Sequence, residues 1–286
     1  MNSSTCQHAV EMSNFPIRHA TRYVQPLREG GSLPAVVDTD DGLFVAKFRG
    51  AGQGARALIA ELLVGQLARA AGLPVPELVL IEVAPLFGRS EPDPEIQDLL
   101  RASHGINMGI RYLDGAFNFD GMAAGELATP EFAADLVWFD AFTTNPDRTA
   151  RNPNLLVWQH RLWLIDHGAA LYAHHDWSRV DDARARTPFP NIRDHVLLTR
   201  SGILEEADAR MGARITETVL AQALTSLPDS LLMERADSFA NADAVRERYR
   251  SYLSARLSPP RAFLPEAIRA RAERSAETPR RLQARR

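Results

Sequence analysis

Lysine is almost missing from this chain. Of 33 basic residues only Lys47 is a lysine, and all the others are arginine. Cysteine is nearly absent too: Cys6 stands alone, which excludes an intramolecular disulfide. No apolar run is long enough to cross a bilayer. There is no large excess of one charge. The formal net charge is −3, which gives no strong signal for nucleic acid. The opening residues MNSSTCQHAVEMSNF lack a basic region followed by an apolar core, so no secretory signal is read there and the cytoplasm is the expected compartment. What remains is an ordinary globular composition, 45% hydrophobic and 24% charged, with enough apolar material for a sizeable core.

The richest stretch is Asn145 to Gly168, NPDRTARNPNLLVWQHRLWLIDHG. It opens on turn formers, Asn145-Pro146-Asp147-Arg148 and Asn152-Pro153-Asn154. Two short apolar runs follow, Leu155–Trp158 and Leu162–Ile165, separated by Gln159-His160-Arg161, and they read as a hairpin. The second run ends on Asp166, then His167 and Gly168. Two acids and at least one amide are thereby brought to one spot with a sheet behind them. Phosphoryl transfer to a hydroxyl requires such a set: an acid near the attacking oxygen, and an acid with an amide oxygen for Mg²⁺.

Upstream, Ala20–Val24 reads as a strand, and Gly30-Gly31-Ser32 as a turn whose N–H groups can approach a phosphate. Ala35–Val37 and Leu43–Phe48 flank an Asp-Gly turn and form a hairpin that ends near Lys47. If basic positions were interchangeable, a lone lysine would fall at this site about once in 33. Gly50 to Gly54 leads into a helix over about 55–71, stopped by Gly72 and Pro74. Glu61 shares a small-residue face of that helix with Ala57, Gly65 and Ala68, which allows a close approach to a sheet and to Lys47. Glu77–Val83 reads as a further strand, and His104–Tyr112 as a strand and linker. Thr129-Pro130-Glu131 is a helix start. Asp135 and Asp140 on that helix are expected to orient loops or face water. Thr216 and Asn241 are expected to cap later helices. The Arg-rich end is expected to be a frayed or disordered tail.

Asp147 with Asn152 five residues on, then the hairpin, then Asp166-His167-Gly168, resembles the catalytic loop and metal-binding turn of protein-kinase-like enzymes. The Asn-Pro-Asp-Arg opening and the Ile-Asp-His-Gly ending are most similar to the HipA-like and phosphatidylinositol-kinase-like branch. Val45-Ala46-Lys47-Phe48 resembles the Val-Ala-Ile-Lys strand of kinases. The resemblance implies an α+β, bilobal fold, with a small β-rich N-lobe holding one long helix and a mainly helical C-lobe. The division expected from it is a polar, weakly ordered leader (1–16), an N-lobe (17–108), a C-lobe (109–265) and an Arg-rich tail (266–286).

The resemblance also implies ATP and Mg²⁺. Lys47, with Gly30, Gly31 and Ser32, would face the phosphates, and Glu61 would position Lys47. The linker from Met108 to Tyr112 would meet the adenine. Asp147 would orient or deprotonate the acceptor hydroxyl, and Asp166 would bind the metal. The second metal ligand is Asn152 by its spacing from Asp147, or Asn154 by its place directly before the strand. His167 stands where the common Asp-Phe-Gly turn has an aromatic. The acceptor implied is a protein serine or threonine, the chain's own included; a small molecule or lipid headgroup uses the same cleft. A nucleotide-binding pseudokinase acting as an interaction module is the reading from another class, and the retention of both acids and the lysine argues against it.

Overall fold

The computed structural model describes residues 15–277, apart from 28–32, 53, 90, 235 and 237. The Gly30-Gly31-Ser32 turn, residues 1–14 and residues 278–286 lie outside the described part.

The N-terminal part is a five-stranded closed barrel in the order β1-β2-β3-β5-β4. Its elements are β1 (Ile17–Pro26), β2 (Ala35–Thr39), β3 (Gly42–Lys47), α1 (Gly54–Ala70), β4 (Leu78–Val83), α2 (Pro94–Ala102) and β5 (Gly105–Arg111). The β2–β3 turn closes as the Asp-Gly signal predicts. Gly42 takes φ +90, and the Thr39 hydroxyl donates to the Gly42 carbonyl. β1 pairs antiparallel with β2 and parallel with β4, which leaves the barrel without a free edge. Strand alternation then sorts the side chains. Val37, Phe44, Ala46, Val79 and Ile81 fill the barrel, capped by Ile96, Leu99 and Leu100 of α2. Leu78, Leu80, Met108 and Ile110 face out of the barrel and pack in a second core with α1.

α1 is apolar almost all round, and a helix of that kind is covered all round. One flank lies on β4 and β5; α6 (Glu217–Thr225) and α7 (Asp229–Leu232) cover another. Gly65 sets the closeness of the first contact, since a Cβ there would fall 2.7 Å from Leu78 Cδ1. Arg49, just after β3, adds a polar link by donating from Nε to Glu234 Oε2 at 2.8 Å.

In chain order the C-terminal part comprises β6 (Phe117–Asn118), α3 (Pro130–Phe142), β7 (Leu155–Trp158), β8 (Arg161–Leu164), α4 (Asp182–Ala185), α5 (Leu204–Arg214), α6, α7, α8 (Ala242–Leu257) and α9 (Phe263–Glu277). β6, β7 and β8 form a small antiparallel sheet. α3 starts at Thr129, whose hydroxyl accepts from the Phe132 N–H at 3.2 Å, and runs buried from Ala133 to Phe142. Thr216 and Asn241 cap α6 and α8 as read from the sequence.

Four boundaries differ from the sequence reading. Phe15, placed in the leader, is buried in the main core, and the Pro16 carbonyl accepts from Leu80 N–H. β5 continues to Arg111, past the lobe boundary expected at 108. The hairpin turn is two residues rather than three: Gln159 and His160 both have positive φ, and Arg161 pairs with Trp158. Residues 266–277, expected in the tail, belong to α9, which buries Ala267 and Ala270 behind Phe263 and packs on α3 and α5.

Candidate active site

β3 delivers Lys47 beside Met108 of β5, and α1 brings Glu61 beneath it. The Lys47 ammonium bridges two carboxylates: it donates to Glu61 Oε1, and to Asp166 Oδ1 at 2.8 Å. Glu61 has no exposed surface. Its carboxylate also accepts the His167 N–H on Oε2 and the Gly168 N–H on Oε1, both at 2.9 Å. One glutamate thus fixes both the lysine and the Asp166-His167-Gly168 turn. Burial alone would lower Lys47, but the charges of Glu61 and Asp166 outweigh it and hold the ammonium above its ordinary range. Burial pushes the Glu61 carboxyl up, against the pull of Lys47. Asp166 also feels burial, yet Lys47 brings it below the usual carboxylate range.

Asp147 sits on the loop after α3. Its Oδ2 accepts the side-chain amides of Asn152 at 2.8 Å and of Asn154 at 3.2 Å. The two asparagines differ in setting. Asn152 is exposed, whereas Asn154 is buried at the entrance to β7. The hairpin register continues past Leu155↔Leu164, and the Ile165 N–H donates to the Asn154 carbonyl at 3.1 Å. Asn154 therefore lies opposite the residue that precedes Asp166.

Beneath this loop is a buried polar hub. Asp140, fully inside α3, accepts Arg148 Nε at 2.6 Å, His195 Nε2 at 3.0 Å and Asn145 Nδ2 at 3.2 Å. Burial would raise the Asp140 carboxyl; the Arg148 charge reverses this and holds it at about 2. His195 is lowered by burial, and as a neutral ring it accepts the Leu197 N–H on Nδ1 while donating from Nε2 to Asp140. His167 is pushed down to about 3, by burial first and by the neighbouring Arg148 charge second.

Backbone strain gathers at the same place. Thr144, Asn154, Asp166 and Leu171 have φ of 53, 48, 55 and 57, a region that is costly for side-chain-bearing residues, most of all for branched Thr144. These positions bracket the Asp147 loop and the Asp166 turn, as strain at functional sites commonly does.

The sequence-predicted residues are brought together in part. Lys47, Glu61 and Asp166 are in direct contact, and Asp147, Asn152 and Asn154 form a second group joined to the first through β7 and β8. Met108 is not in a linker: it is buried inside β5, between Lys47 and Leu80. The Tyr112 N–H donates to the Leu43 carbonyl at 3.1 Å, so it too continues the sheet. Gly30, Gly31 and Ser32 lie outside the described residues. Gly50 has a packing role, because a Cβ there would come within 2.9 Å of Ala102 and Ser103.

A barrel with one covered helix, joined to a helical part that carries an acid-bearing loop and hairpin, has the architecture of the protein-kinase-like enzymes. The sequence pattern of the HipA-like kinase family matches residues 22–259, and the chain belongs to that family. Among solved structures it is similar to the Helicobacter pylori proinflammatory kinase CtkA, with a TM-score of 0.55 at 13% identity, covering 91% of this chain and 99% of that one. That likeness is one of fold. No curated protein sequence matches the chain.

Sequence reasoning missed the contacts of Arg148, Asn145 and His195, and saw in Asp140 an acid that orients loops or faces water. The one available signal was an acid among apolar residues near the end of the helix, eight residues before an arginine. Val45, Leu156 and Ile165 are half-buried apolar residues within two positions of Lys47, Asn154 and Asp166 respectively.

Proposed function

We propose that this chain is an ATP- and Mg²⁺-dependent kinase that phosphorylates a serine or threonine hydroxyl of a protein, its own chain included. The observation that carries the reading is the junction of Lys47, Glu61 and Asp166, locked to the turn backbone through the same glutamate. Lysine, acid and turn are held in one rigid unit, and positioning is most of the catalysis in phosphoryl transfer.

The donor set suits magnesium, since a carboxylate and an asparagine oxygen are hard oxygen ligands. Among the described residues no three His, Cys, Asp or Glu side chains gather into a metal cage. That suits an ion that takes most of its ligands from phosphates and water. Asp166 and Asn154 would hold it. The hairpin register favours Asn154 over Asn152, the residue preferred on spacing, because it lies opposite Ile165 and is anchored in the sheet. Bound there, the ion offsets charge on the phosphate oxygens.

The remaining roles belong to the chain. Lys47 offers its ammonium to the phosphates while Glu61 keeps it from swinging away. Val45, Leu156 and Ile165 present apolar surface to the base. Asp147 Oδ1, the oxygen that neither amide takes, orients the acceptor hydroxyl and receives its proton. The test is incubation with labelled ATP and Mg²⁺, alone and with Ser- and Thr-containing peptides. Label on serine or threonine, lost in Asp147→Asn and in Asp166→Asn, is the expected result. If millimolar Mg·ATP causes no thermal shift and calorimetry detects no binding, the kinase reading is wrong. Binding without transfer to any acceptor would favour the pseudokinase.

A further inference from the structure

Arg148 follows the proposed acceptor-orienting Asp147, and its side chain has no exposed surface. An arginine so placed is ordinarily a core ion pair, and Asp140 supplies the carboxylate. The rest of its fork does something more specific. Nη1 donates to the Asn154 carbonyl and, at 3.4 Å, to the Ile165 carbonyl. Nη2 lies 3.3 Å from His167 Nδ1, which accepts from it. Every contact beyond Asp140 therefore ends on Asn154 or on a residue directly flanking Asp166.

The anchor end is equally defined. Asp140 is held by His195, which comes from a separate segment, and by Asn145 at the start of the loop. Thr149 forms an isolated bridge with His195, and Val196 N–H donates to the Arg148 carbonyl, so that segment also clamps the loop backbone. The α3 frame, the Asp147 loop and the Asp166 turn meet at one guanidinium.

We propose that Arg148 is a positioning residue that, braced on Asp140, fixes Asn154 and the Asp166 turn relative to each other and thereby sets the spacing of the two groups assigned to Mg²⁺. The inference rests on the kinase reading given above. A planar fork can span four acceptors in different directions, which a lysine ammonium at the end of a flexible stem cannot. Groups behind a metal site act in this way on the ligands in front of them.

The experiment compares the full chain with Arg148→Lys and Asp140→Asn. Hydrogen exchange without nucleotide is read over residues 152–156 and 165–168, and turnover is titrated with Mg²⁺. In Arg148→Lys both segments should exchange faster together. Half-saturating Mg²⁺ should rise about tenfold or more, while nucleotide affinity without metal stays within about twofold. Asp140→Asn should move both readouts in the same direction by less, and it carries the test if Arg148→Lys does not fold. Unchanged exchange in the two segments, or a parental Mg²⁺ dependence in a folded variant, overturns the proposal: Arg148 would then be a core arginine and nothing more. A parent that fails to bind Mg·ATP overturns the kinase reading and this inference with it, and that failure is visible before any substitution is made.

Discussion

At Lys47 the chain's arginine bias stops. Its ammonium sits between Glu61 and Asp166 with 11% of its side chain exposed, too confined for a guanidinium to keep both contacts. Lys47→Arg should melt within a few degrees of the parent yet lose about 10²-fold or more in turnover, the scale of removing one transition-state contact. Melting and turnover measured side by side check this, and parental turnover would mean the lysine is incidental. The two asparagines give a second prediction. Asn154→Ala should raise the Mg²⁺ requirement and lower turnover steeply, whereas Asn152→Ala should leave the Mg²⁺ dependence near that of the parent. A Mg²⁺ titration of both variants decides it, and the reverse pattern would return the assignment to Asn152. At this scale the sequence disclosed which lysine, acids and amides the fold gathers, because their types and spacing are chemically specific. It did not disclose what holds them. Arg148 looks like a surface residue in a polar loop until α3 is seen to put Asp140 under it.

At the scale of elements, α1 decides where Glu61 stands. Gly65, one turn further along the same face, meets Leu78 with no room to spare. Gly65→Val should therefore lift α1 off β4, costing about 1–3 kcal/mol as overpacking does. Turnover should fall by more than that stability loss explains, because Glu61 moves with the helix. Gly52→Ala is the control, since a Cβ there meets nothing within 4 Å. Denaturant melts and turnover of the two variants test the contrast; equal behaviour would show that α1 does not hold Glu61 in place. Most strands and the capped starts of α3, α6 and α8 were legible, because alternation, Asp-Gly turns and capping residues act locally. α9 was not. Its arginines suggested a solvated tail, but Arg269 pairs with Glu266 and Glu273 on the outer side while Phe263, Ala267 and Ala270 turn inward. That face acquires meaning only against α3 and α5.

The whole molecule should be sensitive to mild acid, because of histidines buried in its C-terminal part. His167 and His174 are held at about 3, against 6.5 for a free ring, mainly by burial. The unfolded chain therefore binds protons that the folded chain refuses, so stability is intact above pH 6.5 and declines as pH falls from there toward 3. By pH 5 the loss is about 2 kcal/mol for each histidine. Asp140, lowered from 3.8 to about 2, adds a further loss only below about pH 4. Denaturant melts at pH 7 and pH 5 should show the drop. In His174→Gln, which keeps an acceptor for Tyr249, the drop should be smaller by about 2 kcal/mol. An identical drop in that variant would mean His174 carries its proton in the fold. The double covering of α1 bears on how the chain can be divided. The helix gives one flank to the barrel and another to α6 and α7, so the seam between the halves passes along a helix and not through the linker. A gene severed after Tyr112 would yield a front piece with that flank bare, prone to aggregate alone. Expressed together, the severed pieces should find each other, because each carries the surface the other lacks.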